Sequence, residues 1–333
     1  MRVGLTYDLR DEHLARGLGE EEAAEFDRPE TIDALAEAVS ALGHTPVRIG
    51  SLHDLVPRLA RGERWDLVFN IAEGLRGYAR EAQVPALLEG WGIPFVFSDA
   101  LTLAVALHKG MAKHVVRDAG LPTPDFTVVA EEADLARAAT LPYPLFVKPV
   151  AEGTSKGIGT ASRVESARAL EEAVRRVWVR HAQPALVECF LPGREFTVGI
   201  LGTGPYARVL GVMEVLLRDP RDGGIYGFET KEHYEERVRY RLVDDADATA
   251  AAEIALAVHR VLGCRDASRV DLRLDAEGRP CFLEINPLAG LHPTRSDLAI
   301  LASLRGMGYR ELIAEILASA SARLGRHDLA AEA

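Results

Sequence analysis

Short apolar runs alternate with stretches of helical spacing along the first third of the chain. Runs of three to five apolar residues predict strands, and apolar side chains that recur every three or four residues predict helices. The elements predicted in this way are strands at 3–6, 46–49, 67–70 and 93–97 and helices at 29–42 and 84–90. This alternation is typical of a parallel α/β fold, which we predict for a domain over residues 1–98. The polar, acidic segment 10–27 has no strand pattern.

The rest of the chain groups its strands differently, which predicts α+β lobes instead of a continued parallel sheet. The elements predicted here are strands at 145–148, 185–190, 196–201, 209–217 and 270–286 and helices at 101–119, 166–179, 246–262 and 309–324. We divide this part into a central lobe, 99–186, and a C-terminal lobe, 187–325. The overall fold class is therefore α/β with three lobes.

The most informative pattern is a hairpin at 269–286, with its turn at 275–278. If Asp275 faces Pro280, antiparallel pairing brings Asp271 opposite Glu284. The period of two then places Arg269, Asp271, Arg273, Glu284 and Asn286 on a polar face and Val270, Leu272, Leu274, Cys281, Leu283 and Ile285 on an apolar face. Carboxylates that face each other are destabilising unless a cation neutralises them, and oxygen ligands suit Mg²⁺. The alternative is a solvated hairpin face.

A second pattern, typical of phosphate binding, joins a strand to a flexible loop. The strand ends at Lys148, and the loop 149–159 is rich in glycine and hydroxyl residues, whose backbone N–H groups can cradle phosphates. It matches neither a Walker A loop nor a complete dinucleotide fingerprint. Lys109 lies on the preceding predicted helix, and Glu188 and Glu195 flank a bend. An ordinary surface loop and solvated side chains remain the alternative.

Composition restricts the classes of function. The 333 residues carry a formal net charge of −11, which argues against general nucleic-acid binding. No apolar run is long enough for a membrane span, and the N-terminus has no signal-peptide pattern. The three cysteines fit neither a disulfide framework nor a zinc site, so we expect a cytoplasmic protein with reduced thiols.

Taken in order, these motifs resemble the ATP-grasp enzymes, and the chain is similar to D-alanine–D-alanine ligases from residue 3 to about residue 316. The matching segments are Lys109, the loop 148–157, the segment 188–198, and the two halves of the hairpin at 269–271 and 284–286. The resemblance implies a three-lobed fold in which two antiparallel-sheet lobes clasp ATP. It also implies an ADP-forming ligase that activates a carboxylate as an acyl phosphate and joins it to an amine, with a homodimer as the possible assembly.

The resemblance further implies roles for individual residues. Those expected to bind ATP are Lys109, Lys148, Gly153, Thr154, Ser155, Gly157, Glu188, Cys189, Leu191, Glu195 and Lys231. Asp271, Glu284 and Asn286 are expected to hold two Mg²⁺ ions. The catalytic set is Arg269, Lys231, Thr154 and Gly290, in which Arg269 and the Gly290 N–H would stabilise an oxyanion and Lys231 would close over the γ-phosphate. Arg269 has an alternative as a salt bridge to Asp271.

The chain departs from the family where the substrates bind. No residue of the N-terminal segment matches the family's first-substrate glutamate, Glu232 stands in place of a tyrosine, and 292–297 replaces a serine–leucine pair. The substrate candidates are Glu73, Arg80, His292 and Arg295, of which the arginines could pair with a carboxylate and Glu73 with an ammonium. We therefore expect a different pair of small-molecule substrates, both of them amino acids. A true D-alanine–D-alanine ligase, an enzyme that uses another nucleophile, and a non-catalytic ATP-binding regulatory module remain alternatives.

Overall fold

The structure, a computed structural model, describes residues 1–218, 225, 227 and 237–325. Three β-sheets order this part of the chain, one parallel and two antiparallel. The strands are β1 (Arg2–Thr6), β2 (Thr45–Gly50), β3 (Leu67–Asn70), β4 (Phe126–Val129), β5 (Leu145–Pro149), β6 (Arg163–Val164), β7 (Ala185–Cys189), β8 (Glu195–Leu201), β9 (Arg208–Leu217), β10 (Val238–Val243), β11 (Ala267–Leu274) and β12 (Pro280–Asn286). The predicted fold class is confirmed. The lobe boundaries stay predictions.

Eleven α-helices lie in the described residues. They are α1 (Arg10–Ala15), α2 (Pro29–Ala41), α3 (Leu52–Ala60), α4 (Gln83–Gly90), α5 (Ala100–Leu107), α6 (Lys109–Asp118), α7 (Glu132–Ala138), α8 (Ala167–His181), α9 (Ala246–Val261), α10 (Asp297–Leu304) and α11 (Tyr309–Leu324). None of these helices has the length and apolar character that a membrane span requires.

The parallel sheet has the strand order β2-β1-β3. Its apolar side chains pack against α2 and, from the other end of the chain, against α10 and α11. The strand predicted at 93–97 is wrong, because that segment forms only a single bridge between Phe95 and Val68. The segment 10–27, which has no strand pattern in the sequence, contains the short helix α1, and its Asp27 forms a bridge with Leu9.

The four-stranded antiparallel sheet has the order β4-β7-β5-β6 and is covered by α7 and α8. The helix predicted at 101–119 is two helices, α5 and α6, because the backbone of His108 is extended. The His108 imidazole accepts a hydrogen bond from the Met111 N–H at 3.2 Å and so caps α6. This break places Lys109 on the first turn of α6, beside the loop that follows β5.

The five-stranded antiparallel sheet has the order β10-β9-β8-β11-β12 and packs against α9. In its hairpin the predicted pairs hold at the functional end, where Arg269 faces Asn286 and Asp271 faces Glu284. The predicted turn register is wrong, because Leu274 faces Pro280 and an irregularity follows Asp271. This β-bulge restores the register and changes which side chains point inward. Leu283, predicted in the core, lines a cleft, and Phe282 is fully buried instead.

Candidate active site

A cleft lies between the two antiparallel sheets and gathers most of the nucleotide-binding candidates and two of the three metal-binding candidates. It is lined by Lys109, Phe146, Lys148, Pro149, Glu152, Ser155, Lys156, Ile158, Glu188, Cys189, Phe190, Leu191, Glu195, Thr197, Ile225, Arg269, Asp271, Arg273, Leu283, Glu284 and Asp297. One wall comes from β5, β7 and the loop after β5, and the other from β8, β11 and β12. We call it the nucleotide cleft.

Two lysines enter this cleft from different elements. Lys148, on β5, forms an ion pair with Glu188 with 2.7 Å between Nζ and Oε1. Lys109 donates a hydrogen bond to the Glu152 carbonyl, and its Nζ lies 3.5 Å from Glu284 Oε2. Both side chains are buried, so their charges act in a medium of low polarity, where they attract phosphate oxygens more strongly than they would in water.

The cleft also carries two carboxylates, Glu188 on β7 and Glu195 on β8. Burial raises the pKa of Glu188, but Lys113 and Lys148 outweigh it, so the pKa stays below its ordinary value. Burial, with the nearby charges of Asp271 and Glu284, raises the pKa of Glu195, although Arg273 opposes the change. The Arg273 guanidinium donates to Glu195 at 3.3 Å.

Between these carboxylates lie two residues that could contact a base. The Cys189 backbone N–H already donates to the Asp125 carbonyl at 2.9 Å, within the chain. Burial raises the pKa of the Cys189 thiol to about 11, so the thiol is neutral at pH 7. Leu191 is buried and, with Phe190 and Leu283, gives this part of the cleft an apolar wall that suits a planar ring.

The metal candidates lie on adjacent strands of the hairpin. Asp271 and Glu284 are direct cross-strand partners, and Asn286 faces Arg269 two pairs further along. Asp271 accepts a hydrogen bond from the Thr197 hydroxyl at 2.9 Å, which orients the carboxylate. Asp271 and Glu284 line the nucleotide cleft and Asn286 lines a neighbouring one. A donor set of two carboxylates and one amide oxygen fits a hard divalent cation. Over the described residues, no group of three or more His, Cys, Asp or Glu could hold a metal ion by itself.

Arg269 is fixed between two carboxylates. Its guanidinium donates to Asp271 at 3.0 and 3.2 Å and to Asp297 at 2.7 Å. Burial alone would lower the pKa of Arg269, but Asp271, Asp297 and Glu284 raise it, so the group stays a cation. The predicted salt bridge to Asp271 is therefore present. It leaves Arg269 lining both the nucleotide cleft and a neighbouring cleft, so the bridge and a role in the reaction are compatible.

The loop after β5 presents different residues to different cavities. Ser155 lines the nucleotide cleft, whereas Gly153 and Thr154 line the neighbouring cleft. Gly157 faces a third cavity behind the loop, so the structure does not bring it to the other nucleotide-binding candidates. Thr154 and Ser155 both have positive φ, 49° and 54°, which L side chains adopt at some cost in energy. Neighbouring side chains therefore have to hold this loop in place.

Glu25, in the N-terminal segment, contacts this loop and stabilises it. Its carboxylate accepts a hydrogen bond from the Gly153 N–H and pairs with Arg80 and Lys156, each at 3.0 Å. Arg80 also donates to the Ala151 carbonyl at 2.8 Å. Arg80, predicted as a substrate ligand, thus lies in a buried network and does not line the neighbouring cleft.

The neighbouring cleft, which we call the substrate cleft, contains the remaining substrate candidates. Its polar lining includes Glu25, Asp27, Arg28, Glu73, Glu81, Thr154, Arg269, Asn286, Gly290, His292, Arg295 and Asp297. Burial and nearby carboxylates raise the pKa of Glu73 well above its ordinary value. Burial raises the pKa of Glu81 to about 7. It also raises the pKa of Asp27 to about 7, although a hydrogen bond from Thr31 opposes that change. Three carboxyl groups with weakened acidity therefore share one cleft.

Gly290 lies at the entrance to the loop before α10. A side chain at this position would put its Cβ 2.8 Å from the Ser296 hydroxyl oxygen, so the close approach requires glycine. The same hydroxyl accepts from the His292 N–H at 2.8 Å and closes the loop. Arg269 and Gly290, the two predicted oxyanion donors, therefore line one cleft. Lys231 lies outside the described residues.

Comparison with known proteins shows which family this chain belongs to. The family model described as D-ala D-ala ligase C-terminus matches residues 115–318. A D-alanine–D-alanine ligase of Gluconobacter oxydans is 36% identical over 299 residues, which cover 87% of this chain and 93% of that protein. The chain belongs to the D-alanine–D-alanine ligase family. It is thus an ATP-dependent ligase of ATP-grasp type.

Other relatives and solved structures extend this likeness. An uncharacterised protein of Sinorhizobium fredii, y4sG, is 35% identical over 256 residues, covering 75% of this chain and 73% of that protein. Crystal structures of a Bacillus anthracis D-alanine–D-alanine ligase with ATP and of the VanG D-Ala:D-Ser ligase of Enterococcus faecalis match with TM-scores of 0.72 and 0.73. Each is 20% identical; the first covers 97% of this chain and 98% of its own, the second 96% and 99%. At that identity they confirm the ATP-grasp ligase fold alone.

Sequence reasoning missed several residues of this family member's clefts. Asp27 and Glu81 had no local signal, because they are far apart in the chain and meet only in the folded protein. Asp297 was visible only as part of a divergent segment. Lys113, which pairs with Glu188, had a signal that could have found it, since it lies four residues after Lys109 and so on the same side of α6.

Proposed function

We propose that this chain is an ADP-forming ligase that activates the carboxylate of one amino acid with ATP and Mg²⁺ and joins it to the amine of another. The observation that carries the proposal is the meeting of Lys109, Lys148 and the Asp271–Glu284 pair in one cleft that opens, at Arg269, into a second cleft. Phosphoryl transfer in such a site depends on positioning and charge.

The residues divide the work between the two clefts. Lys148 and Lys109 neutralise phosphate charge, while Glu188, the Cys189 backbone and Leu191 take the adenine end and Glu195 the ribose. Asp271, Glu284 and Asn286 would hold magnesium, which supplies further charge neutralisation when bound; the number of ions is part of the proposal. Ser155 and the loop around Gly153 cover the phosphates. Lys231 stays a proposed phosphate contact.

The second half of the reaction belongs to the substrate cleft. Arg269 is a permanent cation fixed by Asp271 and Asp297, so it can stabilise an oxyanion without moving. The Gly290 N–H is the proposed second donor, and Thr154 lies across the same cleft. His292 and Arg295 are placed to meet a substrate carboxylate, and Glu73 to meet an ammonium. A bound ammonium would favour the ionised form of the acidic groups here, because opposite charges lower the pKa of a carboxyl.

We further propose that the amino-acid pair differs from D-alanine with D-alanine. Support comes from the acidic lining of the substrate cleft and from the divergent 292–297 segment, since an altered pocket selects different side chains. The second candidate is D-alanyl-D-alanine synthesis itself, favoured by the names of relatives about one-third identical.

An ADP-release assay over pairs of L- and D-amino acids, with product masses recorded, tests both candidates. We expect release to need Mg²⁺ and a carboxylate substrate, and to fall by at least about a hundredfold in Glu284→Gln and in Lys148→Ala. Glu277→Gln, the same chemical change at the exposed hairpin turn, is the matched control and should keep full activity. The amino-acid pair that gives the fastest ADP release distinguishes the two candidate functions. ATP binding with no ADP release for any pair would favour a regulatory module, and undiminished release in Glu284→Gln would refute the site.

A further inference from the structure

Lys113 is a buried cation that the proposed reaction does not use. It lies on α6, one turn after Lys109, and its side chain is fully buried. Its Nζ donates to the Thr123 hydroxyl at 2.9 Å and to the Phe282 carbonyl at 3.1 Å. The third contact is an ion pair with Glu188, with 2.8 Å between Nζ and Oε2.

Glu188 is shared between two lysines that approach from opposite sides. Lys148 contacts Oε1 at 2.7 Å and lines the nucleotide cleft together with Glu188, whereas Lys113 contacts Oε2 and does not line the cleft. Any effect of Lys113 on a nucleotide is therefore indirect, and of its three polar contacts only Glu188 lines the cleft. Taken as a group, the two lysines and Glu188 carry one net positive charge, which suits a phosphate-bearing ligand.

Burying the Lys113–Glu188 ion pair costs desolvation free energy, so we expect the pair to have a functional role. Burial lowers the pKa of Lys113 to about 8, against the raising effect of Glu188 and Glu284. An apolar side chain would avoid that desolvation, and packing against Phe126 and Phe282 is already available there. With Lys113 removed, however, Glu188 would keep only one cation, and its buried Oε2 would have lost its counter-charge. The carboxylate would then reorient or take up a proton.

A purely structural role is the competing explanation. Two of the three contacts of Lys113 tie α6 to the segment before β4 and to β12, and Thr123 also donates to the Phe282 carbonyl at 2.9 Å. If anchoring were the whole purpose, loss of Lys113 would lower stability and would weaken nucleotide binding independently of residue 188.

We propose that Lys113 is a positioning residue of the nucleotide site: it holds Glu188 ionised and oriented, and Glu188 in turn fixes the Lys148 ammonium in the cleft. This inference rests on the proposed nucleotide contacts of Glu188 and Lys148. It adds a second layer to the site, behind the residues that touch the ligand.

A double-mutant cycle on ATP binding separates the two explanations. ATP dissociation constants are measured with Mg²⁺ for the full-length wild type, Lys113→Met, Glu188→Gln and the double variant, with thermal unfolding as the check on folding. We expect Lys113→Met to weaken ATP binding about tenfold in the wild-type background and less than twofold in the Glu188→Gln background, because coupled residues are not additive. The KM for ATP should rise more than kcat falls.

Two further variants keep the test decisive. Lys113→Gln is neutral but retains a donor for the Phe282 carbonyl, so it replaces Lys113→Met if the latter does not fold. Thr123→Val removes the helix anchor and leaves the ion pair, so it should lower the unfolding temperature and leave ATP binding within twofold of wild type. The inference would be overturned if the fold-changes in the ATP dissociation constant caused by Lys113→Met and Glu188→Gln multiply in the double variant. It would also be overturned if the Lys113→Met protein binds ATP like wild type. Wild-type protein that binds no ATP would instead overturn the proposed function.

Discussion

The raised pKa of Asp27 predicts an unusual effect of removing a charge from the substrate cleft. Burial raises the pKa of this carboxyl from 3.8 to about 7, with a further contribution from Asp8 and opposition from a hydrogen bond with Thr31. Between these two values the unfolded chain has lost the proton and the folded protein still holds it. Stability therefore falls as pH rises through this window, and the full penalty is present above about pH 7.

The size of the penalty follows from the shift. A difference of about 3 pKa units corresponds to about 4 kcal/mol at pH 8.5, and about 3 kcal/mol of it is already present at pH 6. Asp27→Asn keeps the shape of the side chain and an acceptor for Thr31 but cannot ionise. The variant should thus be more stable than wild type, and its advantage should grow by about 1 kcal/mol between pH 6 and pH 8.5.

Urea unfolding at both pH values measures this difference. Asp33→Asn is the matched control, since it removes the same charge from an exposed position on α2, and its effect on stability should change little with pH. An Asp27→Asn advantage that is the same at pH 6 and pH 8.5 would refute the reasoning. The variant should also lose affinity for the amine substrate, because the pocket then offers one carboxylate fewer to an ammonium.

Two further predictions concern the frame of the site. Glu25→Gln removes the negative charge that Arg80 and Lys156 share, so we expect a loss of about 3 kcal/mol in stability and faster trypsin cleavage after Lys156. The control variant Glu20→Gln, at an exposed position, should match wild type in both measurements. Gly193→Ala would put a methyl group 2.5 Å from Leu274 Cβ, so urea unfolding should show a loss of about 1–3 kcal/mol, whereas Gly90→Ala, with open space around its Cβ, should show none.

The sequence predicted the site where side chains lie close along the chain or across one hairpin. Lys148, Asp271 and Glu284 follow from local patterns, because a strand end and a cross-strand pair are geometric consequences of the period of two. Asp27 and Glu81 do not, since they meet only when the N-terminal segment folds back over the end of β3. The break at His108 was also missed. The apolar pattern continues across this position, and the break depends on the extended backbone conformation of His108 alone, which lets its imidazole cap α6.

The hairpin shows how an incorrect turn register still led to the correct pair. Leu274 faces Pro280, and uninterrupted pairing from that turn would bring Asp271 opposite Leu283 and would turn Glu284 toward the core. The extra residue at the bulge shifts β12 by one position, so Phe282 fills the core and Glu284 returns to face Asp271. Leu283 and Glu284 then line the nucleotide cleft side by side, which strict alternation forbids. The bulge therefore places an apolar side chain that lines the cleft directly next to a carboxylate that we propose as a metal ligand.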